Sequence, residues 1–135
     1  MQNIIGTAEQ VARVHAALLA AQSQMKDAPH DSKNPHFKST YASLSSVIAS
    51  VKAILAANGF CYTQGFQPSS FDQRVCVVTT LLHSSGGAIE SKLEIGCLKQ
   101  DPQAYGAAIT YARRYALAAI CGISTEEDTD GQFHQ

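Results

Sequence analysis

The stretch from Asp101 to Gly122 constrains this chain more than any other, because it specifies a helix with both ends marked. The Asp101 carboxylate can accept from the free N–H groups of a first turn, Pro102 fits the first helical position, and Gly122 suits the left-handed position just past the end. With residues spaced 100° apart, Tyr105, Ala108, Ile109, Ala112, Ala116, Ala119 and Ile120 gather on one broad face. Arg114 falls diametrically opposite, among Thr110, Ala107, Ala118 and Tyr111, and Arg113 borders the core face. A helix that is apolar almost all round is covered on more than one side. The small outer residues let something approach closely, so a second partner is expected there, either a neighbouring subunit or an extended ligand.

The remaining chain supplies what such a helix packs on. Thr7-Ala-Glu-Gln10 reads as a capping box, and Val11, Val14, Leu18 and Met25 follow at helical spacing, predicting a helix over about 8–25 with His15 on its surface. From Lys26 to Thr40 the composition turns to Lys, Asp, Pro, His, Asn and Ser, an irregular connection carrying Lys33 and Lys38. It reads either as a solvated loop or as a basic arm touching phosphates. Residues 41–58 predict a second helix with Leu44, Val47, Ile48, Val51, Ile54 and Leu55 on one face, and with Lys52 on the same stripe as Tyr41 and Ser45. Asn58-Gly59 ends it.

The period then changes. Phe60, Tyr62, Gln64 and Phe66 alternate, 68–73 breaks the run, and Val75 to Leu82 is a continuous β-branched stretch typical of a central strand. Ser84-Ser-Gly-Gly87 forms a hairpin turn. Ala88 to Ile95 alternates, with Ile89, Leu93 and Ile95 inward and Glu90, Lys92 and Glu94 outward. The predicted class is α+β: two N-terminal helices, a three-stranded antiparallel β-meander and a C-terminal core helix. Residues 1–125 are expected to form one domain, and 126–135 an acidic tail.

A chain of 135 residues and 14.4 kDa is large enough for one core without crosslinks. Its four cysteines, Cys61, Cys76, Cys97 and Cys121, show no C-x-x-C spacing, which favours buried thiols in a reducing cytoplasm over disulfides or a metal. No leader pattern and no apolar run approaching a membrane span stands out. The formal net charge of −1 does not advertise a polyanion as partner. However, Glu126, Glu127, Asp128 and Asp130 lie at the end, and residues 1–125 carry ten basic against seven acidic side chains. Contact with nucleic acid would therefore come from a local patch repeated in an oligomer.

Two blocks carry a family resemblance. Tyr105-Gly-Ala-Ala-Ile-Thr-Tyr-Ala-Arg-Arg-Tyr-Ala-Leu117, followed by Gly122-Ile and the acidic run 126–131, resembles the signature of the phage Erf family of single-strand annealing proteins. Asn34-Pro-His-Phe-Lys-Ser-Thr-Tyr-Ala-Ser-Leu44 is similar to that family's Asn-Pro-x-Phe-Lys-Ser-x-Tyr-Ala-x-Leu segment, departing at Thr40, where many relatives carry a basic residue. Leu82-His-Ser-Ser-Gly86 agrees as well. The resemblance implies a β-β-β-α core, shared more distantly with the eukaryotic annealing protein of double-strand-break repair. It also implies ATP-independent binding and annealing of single-stranded DNA in phage or prophage recombination, inside the bacterial cytoplasm, by a ring or helical homo-oligomer that needs no cofactor. An exonuclease and a single-strand binding protein of host or phage are further candidate partners.

Annealing makes no bonds. It needs a surface that holds one strand by its phosphates, with aromatic rings for stacking. Arg113, Arg114 and Lys99 are candidates for phosphate and Tyr105 and Tyr111 for bases, while Lys38 and Tyr41 join them by resemblance, with Lys33 and Lys52 completing the set. The alternative is that Arg113 makes an internal or intersubunit salt bridge and the tyrosines are core. No G-x-x-x-x-G-K-[ST] occurs, so no ATP-driven motor is expected.

A metal-dependent nuclease is the competing reading, built on Glu90-Ser-Lys92 and Asp72 around Mg²⁺, although alternating charge on an exposed strand gives the same pattern. An oligomeric scaffold without DNA affinity is the third. The acidic run reads as a solvated tail, a cation site or a competitor for the DNA groove. Asp128-Thr-Asp130-Gly131 lacks the twelfth-position Glu of a calcium loop.

Overall fold

The computed structural model describes residues 2–35, 38–69 and 73–126. In chain order the elements are β1 (Gln2–Ile5), α1 (Ala8–Gln24), β2 (Ser32–Lys33), β3 (Thr40–Tyr41), α2 (Leu44–Ala57), β4 (Phe60–Gln67), β5 (Arg74–His83), β6 (Ala88–Gly96) and α3 (Pro102–Cys121). The main sheet is antiparallel throughout, in the order β1-β6-β5-β4, and β2 and β3 form a separate two-stranded ribbon.

Capping chemistry fixes the helix boundaries. Thr7 accepts from the Gln10 amide at 3.2 Å while the Gln10 side chain accepts from the Thr7 amide at 2.9 Å, closing the capping box. The same Gln10 side chain donates to the Ser85 carbonyl at 3.1 Å, tying the start of α1 to the β5–β6 turn. Gly87 in that turn has no room for a side chain, since a Cβ would lie 2.7 Å from Val14 of α1. At α3, Asp101 accepts from the Ala104 amide at 2.8 Å and Gly122 adopts φ of 77°, as the sequence predicts.

Cross-strand register decides which side chains meet the helices. Tyr62, Leu81, Ile89 and Ile4 stand in one row on the inner face, and Gln64, Thr79 and Ser91 in the next. Against this face pack Val14 of α1, Val47, Val51 and Leu55 of α2, and Leu117, Ala118, Ile120 and Cys121 of α3. The result is a helical layer on one face of an antiparallel sheet.

Two expectations are corrected. The three-stranded meander gains a fourth strand, β1, on the outer side of β6. Gln-Asn-Ile-Ile is too short to show a period of its own, and only its pairing with Ala88–Ser91 identifies it. The second helix starts at Leu44 rather than Tyr41, because Ser43 is the N-cap, accepting from the Ser46 amide at 3.2 Å. Asp31 in turn accepts from the Ser43 amide at 2.8 Å and its hydroxyl at 2.7 Å. These bonds, the amide first, hold the Asp31 carboxyl below the usual range. Tyr41 therefore belongs to the ribbon and shares no helical stripe with Lys52 or Ser45.

Cys76, Cys97 and Cys121 are buried and Cys61 is exposed, all four free. Burial pushes the Cys121 thiol up to about 12. At pH 8 a thiol reagent is expected to modify Cys61 in the folded protein and the other three only after denaturation, because the thiolate is the reacting form. Stoichiometric labelling of more than one cysteine without denaturant would contradict this burial pattern.

Candidate nucleic-acid interface

The outer face of α3 does not open directly to solvent along its whole length. The β3 strand and the start of α2 lie beside it, leaving a groove of about 410 Å³ lined by Tyr41, Ser43, Leu44, Gly106, Ala107, Thr110, Tyr111 and Arg114. Small residues on α3 create the space. At Gly106 a Cβ would meet nothing within 4 Å, so no internal contact requires glycine there, although glycine in a helix interior costs roughly 0.8–1.0 kcal/mol relative to alanine.

Arg114 forms the inner wall of this groove and is only 8% exposed. Its guanidinium lies 4.4 Å from the centroid of the Tyr41 ring, 4.7 Å from Tyr115 and 5.5 Å from Tyr111. One nitrogen donates to the Ala42 carbonyl at 3.4 Å and another lies 3.4 Å from the Glu126 carboxylate. The helical wheel gives the direction of Arg114 correctly but not what lies there. The chain itself returns across this face after α3: the Ala42 amide donates to the Thr125 carbonyl at 2.7 Å, and Glu126 forms an isolated bridge with Tyr41. The face on which a neighbouring subunit or an extended ligand is expected is thus covered in part by the chain's own Thr125 and Glu126, which are neither.

Tyr115 closes the cage. Its hydroxyl donates to the Glu126 carboxylate, and its ring packs on Tyr111 with centroids 4.4 Å apart. Burial first, and then the bond to Glu126, pushes the Tyr115 phenol above its ordinary range, so it stays a neutral donor at any physiological pH. Tyr111 is 48% exposed and presents its ring at the groove's rim. Tyr115 was not singled out from the sequence. The available signal was its position four residues after Tyr111, on the same helical face.

Arg113 points elsewhere. Its side chain donates to the Gln64 carbonyl oxygen at 3.3 Å, and the Gln64 amide donates to the Arg113 backbone carbonyl and to Thr79, both at 3.0 Å. Arg113 thereby pins α3 to the inner face of β4 and β5. This is an internal tie, though to an amide rather than the salt bridge considered from the sequence.

Among the other candidates, Lys33 and Lys38 are exposed on the ribbon arm that leads into Tyr41, and neither lines the groove. Lys52 lies apart, lining a cleft of about 270 Å³ between α2 and β4 with Ala56, Phe60, Cys61 and Tyr62. Lys99 is exposed in the loop before α3, and half-buried Tyr105 lies nine residues before Arg114, about 13 Å along the helix axis. The structure thus brings Tyr41, Tyr111 and Arg114 together and leaves Lys33, Lys38, Arg113, Lys52, Lys99 and Tyr105 outside the groove's lining.

The family model of the ERF superfamily matches residues 14–135. The chain belongs to the ERF superfamily. No curated protein and no solved structure matches it. Membership is consistent with phage single-strand annealing proteins in general, and the match covers both α3 and the Asn34–Leu44 block that furnish the groove. Among the described residues of this ERF-superfamily chain, no helix is long and apolar enough to cross a membrane, and no group of three or more His, Cys, Asp or Glu could hold a metal ion. Of the nuclease set, Glu90 and Lys92 share the outer face of β6, opposite Thr80 and Val78, while Asp72 lies outside the described residues, as does the acidic run beyond Glu126.

Arg114→Ala is expected to lower the unfolding free energy by about 3 kcal/mol, since it removes a buried cation's contacts, takes the Arg114 donor from the Ala42 carbonyl and leaves the Glu126 carboxylate with Tyr115 but without its counter-charge. Arg114→Lys should restore only part, because the planar fork and its ring contacts are lost. Urea unfolding measures both. Equal stability of wild type and Arg114→Ala would show that the cage does not hold the 124–126 segment in place.

Proposed function

We propose that this chain is an ATP-independent protein that binds and anneals single-stranded DNA in phage recombination, working as a homo-oligomer. The observation that carries the reading is the groove between β3, α2 and α3. It has an exposed aromatic ring at its rim and a floor of Gly106, Ala107 and Thr110 without bulky side chains, and Tyr41 in its wall belongs to the ribbon arm that carries the exposed Lys33 and Lys38.

The chemistry required is modest. Pairing of complementary strands is downhill, and the obstacle is phosphate repulsion together with the collapsed shapes of free single strands. Lysines on an exposed arm neutralise phosphates without reading sequence. A tyrosine face accepts any base by stacking, worth about 1–3 kcal/mol per base. A backbone held on the arm with one or more bases against Tyr111 leaves the remaining base edges free to meet a complement. Arg114 serves differently from the lysines. With Glu126 beside it and three rings around it, its role in this reading is to position Tyr41 and Tyr111 rather than to reach out for phosphate.

Two complementary oligonucleotides, one carrying a fluorophore and the other a quencher, test this directly in the absence of nucleotide. Pairing faster than in buffer is expected, and an unchanged rate would defeat the proposal. Lys33→Ala and Lys38→Ala should each weaken binding alike for all sequences and reduce the salt slope by about 0.7 per lost contact. Tyr111→Ala should weaken binding with the slope unchanged. A scaffold without DNA affinity would instead assemble and give no mobility shift.

A further inference from the structure

Among the described residues, the edge strand β4 lacks the features that ordinarily keep sheet edges apart, and the opposite edge, β1, is guarded only by its four-residue length. Monomeric proteins guard such edges with lysines, prolines, inward-pointing charges or bulges. Here β1 reads Gln-Asn-Ile-Ile and β4 reads Phe-Cys-Tyr-Thr-Gln-Gly-Phe-Gln, without a charge or proline in either. The charges of the sheet, Arg74, Glu90, Lys92 and Glu94, sit on the two central strands. β4 pairs with β5 over eight consecutive residues without a bulge, so its outer edge is regular. Both edges also present apolar side chains to solvent: Ile4 is 45% exposed, Ile5 48% and Phe66 61%.

Strand direction makes the two edges complementary. Each neighbouring pair in β1-β6-β5-β4 is antiparallel, so β1 and β4 run in opposite directions. A second copy in the same orientation, set beside the first, therefore brings its β1 antiparallel to β4 with the helical layer on the same side. Set side by side without a shift along the strands, the copies would continue each row across the join. Ile5, Ala88, Leu82 and Cys61 form one row across the outer face, with Ile5 at one end and exposed Cys61 at the other.

We infer that copies of this chain join edge to edge, β4 of one pairing with β1 of the next, into a continuous antiparallel sheet. This rests on the homo-oligomer of the proposed function and identifies the surface that builds it. The contact is heterologous, so it propagates to a ring or a filament rather than stopping at two. Pairing β4 with β4 about a two-fold axis would leave Ile4 and Ile5 uncovered at both ends. Because each copy contributes four strands, equivalent points repeat about every 19 Å along the sheet, and every groove lies on the same side.

Crosslinking tests the pairing. Ile5→Cys changes an exposed edge residue, and a short bismaleimide should then give a ladder extending beyond dimers, with position 5 joined to Cys61 in the digested peptides. Dimers joined only through Cys61 to Cys61, with no higher species in the variant, would overturn the inference in favour of a two-fold contact. A second variant, Thr63→Lys, places a charge on the β4 edge and should raise the concentration for half-assembly by at least about tenfold, while Ala53→Lys on exposed α2 leaves it unchanged. Wild-type assembly by Thr63→Lys would also overturn the inference. The annealing assay run on the same samples separates the two claims. An oligomer that anneals DNA without the crosslink places the interface elsewhere and spares the functional reading, whereas a monomer without annealing removes both.

Discussion

A single buried cation organises the helical side of this molecule. Placing a guanidinium in a protein interior is costly unless charge, hydrogen bonds and polarisable surfaces together replace its hydration. At Arg114 the replacement is drawn from three places in the sequence: Tyr41 and Ala42 from the ribbon junction, Tyr111 and Tyr115 from its own helix, and Glu126 from the segment after it. None of these alone compensates the burial, so the three segments become interdependent. The Glu126 side chain is itself 40% exposed, which screens its attraction and leaves the rings and the carbonyl a substantial share of the task.

The adjacent arginine shows how one helix serves two layers. Consecutive helical residues point about 100° apart, so Arg113 reaches the sheet, where it donates to the Gln64 side chain that Thr79 holds in place, while Arg114 reaches the ribbon. The pair reads in sequence as one basic cluster, yet the two cations do unrelated mechanical work on opposite flanks of α3. The exposed cations of the ribbon arm are instead Lys33 and Lys38, and its base is fixed by the bonds that Ser43 donates to Asp31.

What was legible in the sequence depended on how local the determining interaction is. Both ends of α3 were readable because Asp101, Pro102 and Gly122 act within one turn of themselves. The strands β4 to β6 were readable from their period and the glycine turn between the last two. β1 was not, because four residues acquire strand character only from a partner more than eighty residues away. The start of α2 was misplaced although its signal is local, the Ser43 cap on the Ser46 amide, because the ribbon strand just before it, paired with Ser32, reads as a further stretch of the helix. At the site, Tyr41, Tyr111 and Arg114 were named individually from helix position and family resemblance. Their convergence was not visible, since it is set by residues 124–126 folding back, a return that no periodicity encodes.

Small net charge and a shallow groove are consistent with a polyanion partner only if copies act together. The ribbon arm offers two exposed lysines, and two phosphate contacts would give a single copy a salt slope of only about −1.4 on a single strand. That is weak binding, readily lost at physiological ionic strength. Edge-to-edge assembly changes the arithmetic without changing any contact, because a strand already held by one copy meets the next at high effective concentration. It also preserves the face of the sheet from copy to copy, so every ribbon arm projects on the same side. The uncharged edges of the sheet and the sparse cations of the groove are on this view two parts of one arrangement, in which weak individual contacts suffice because they are repeated in register.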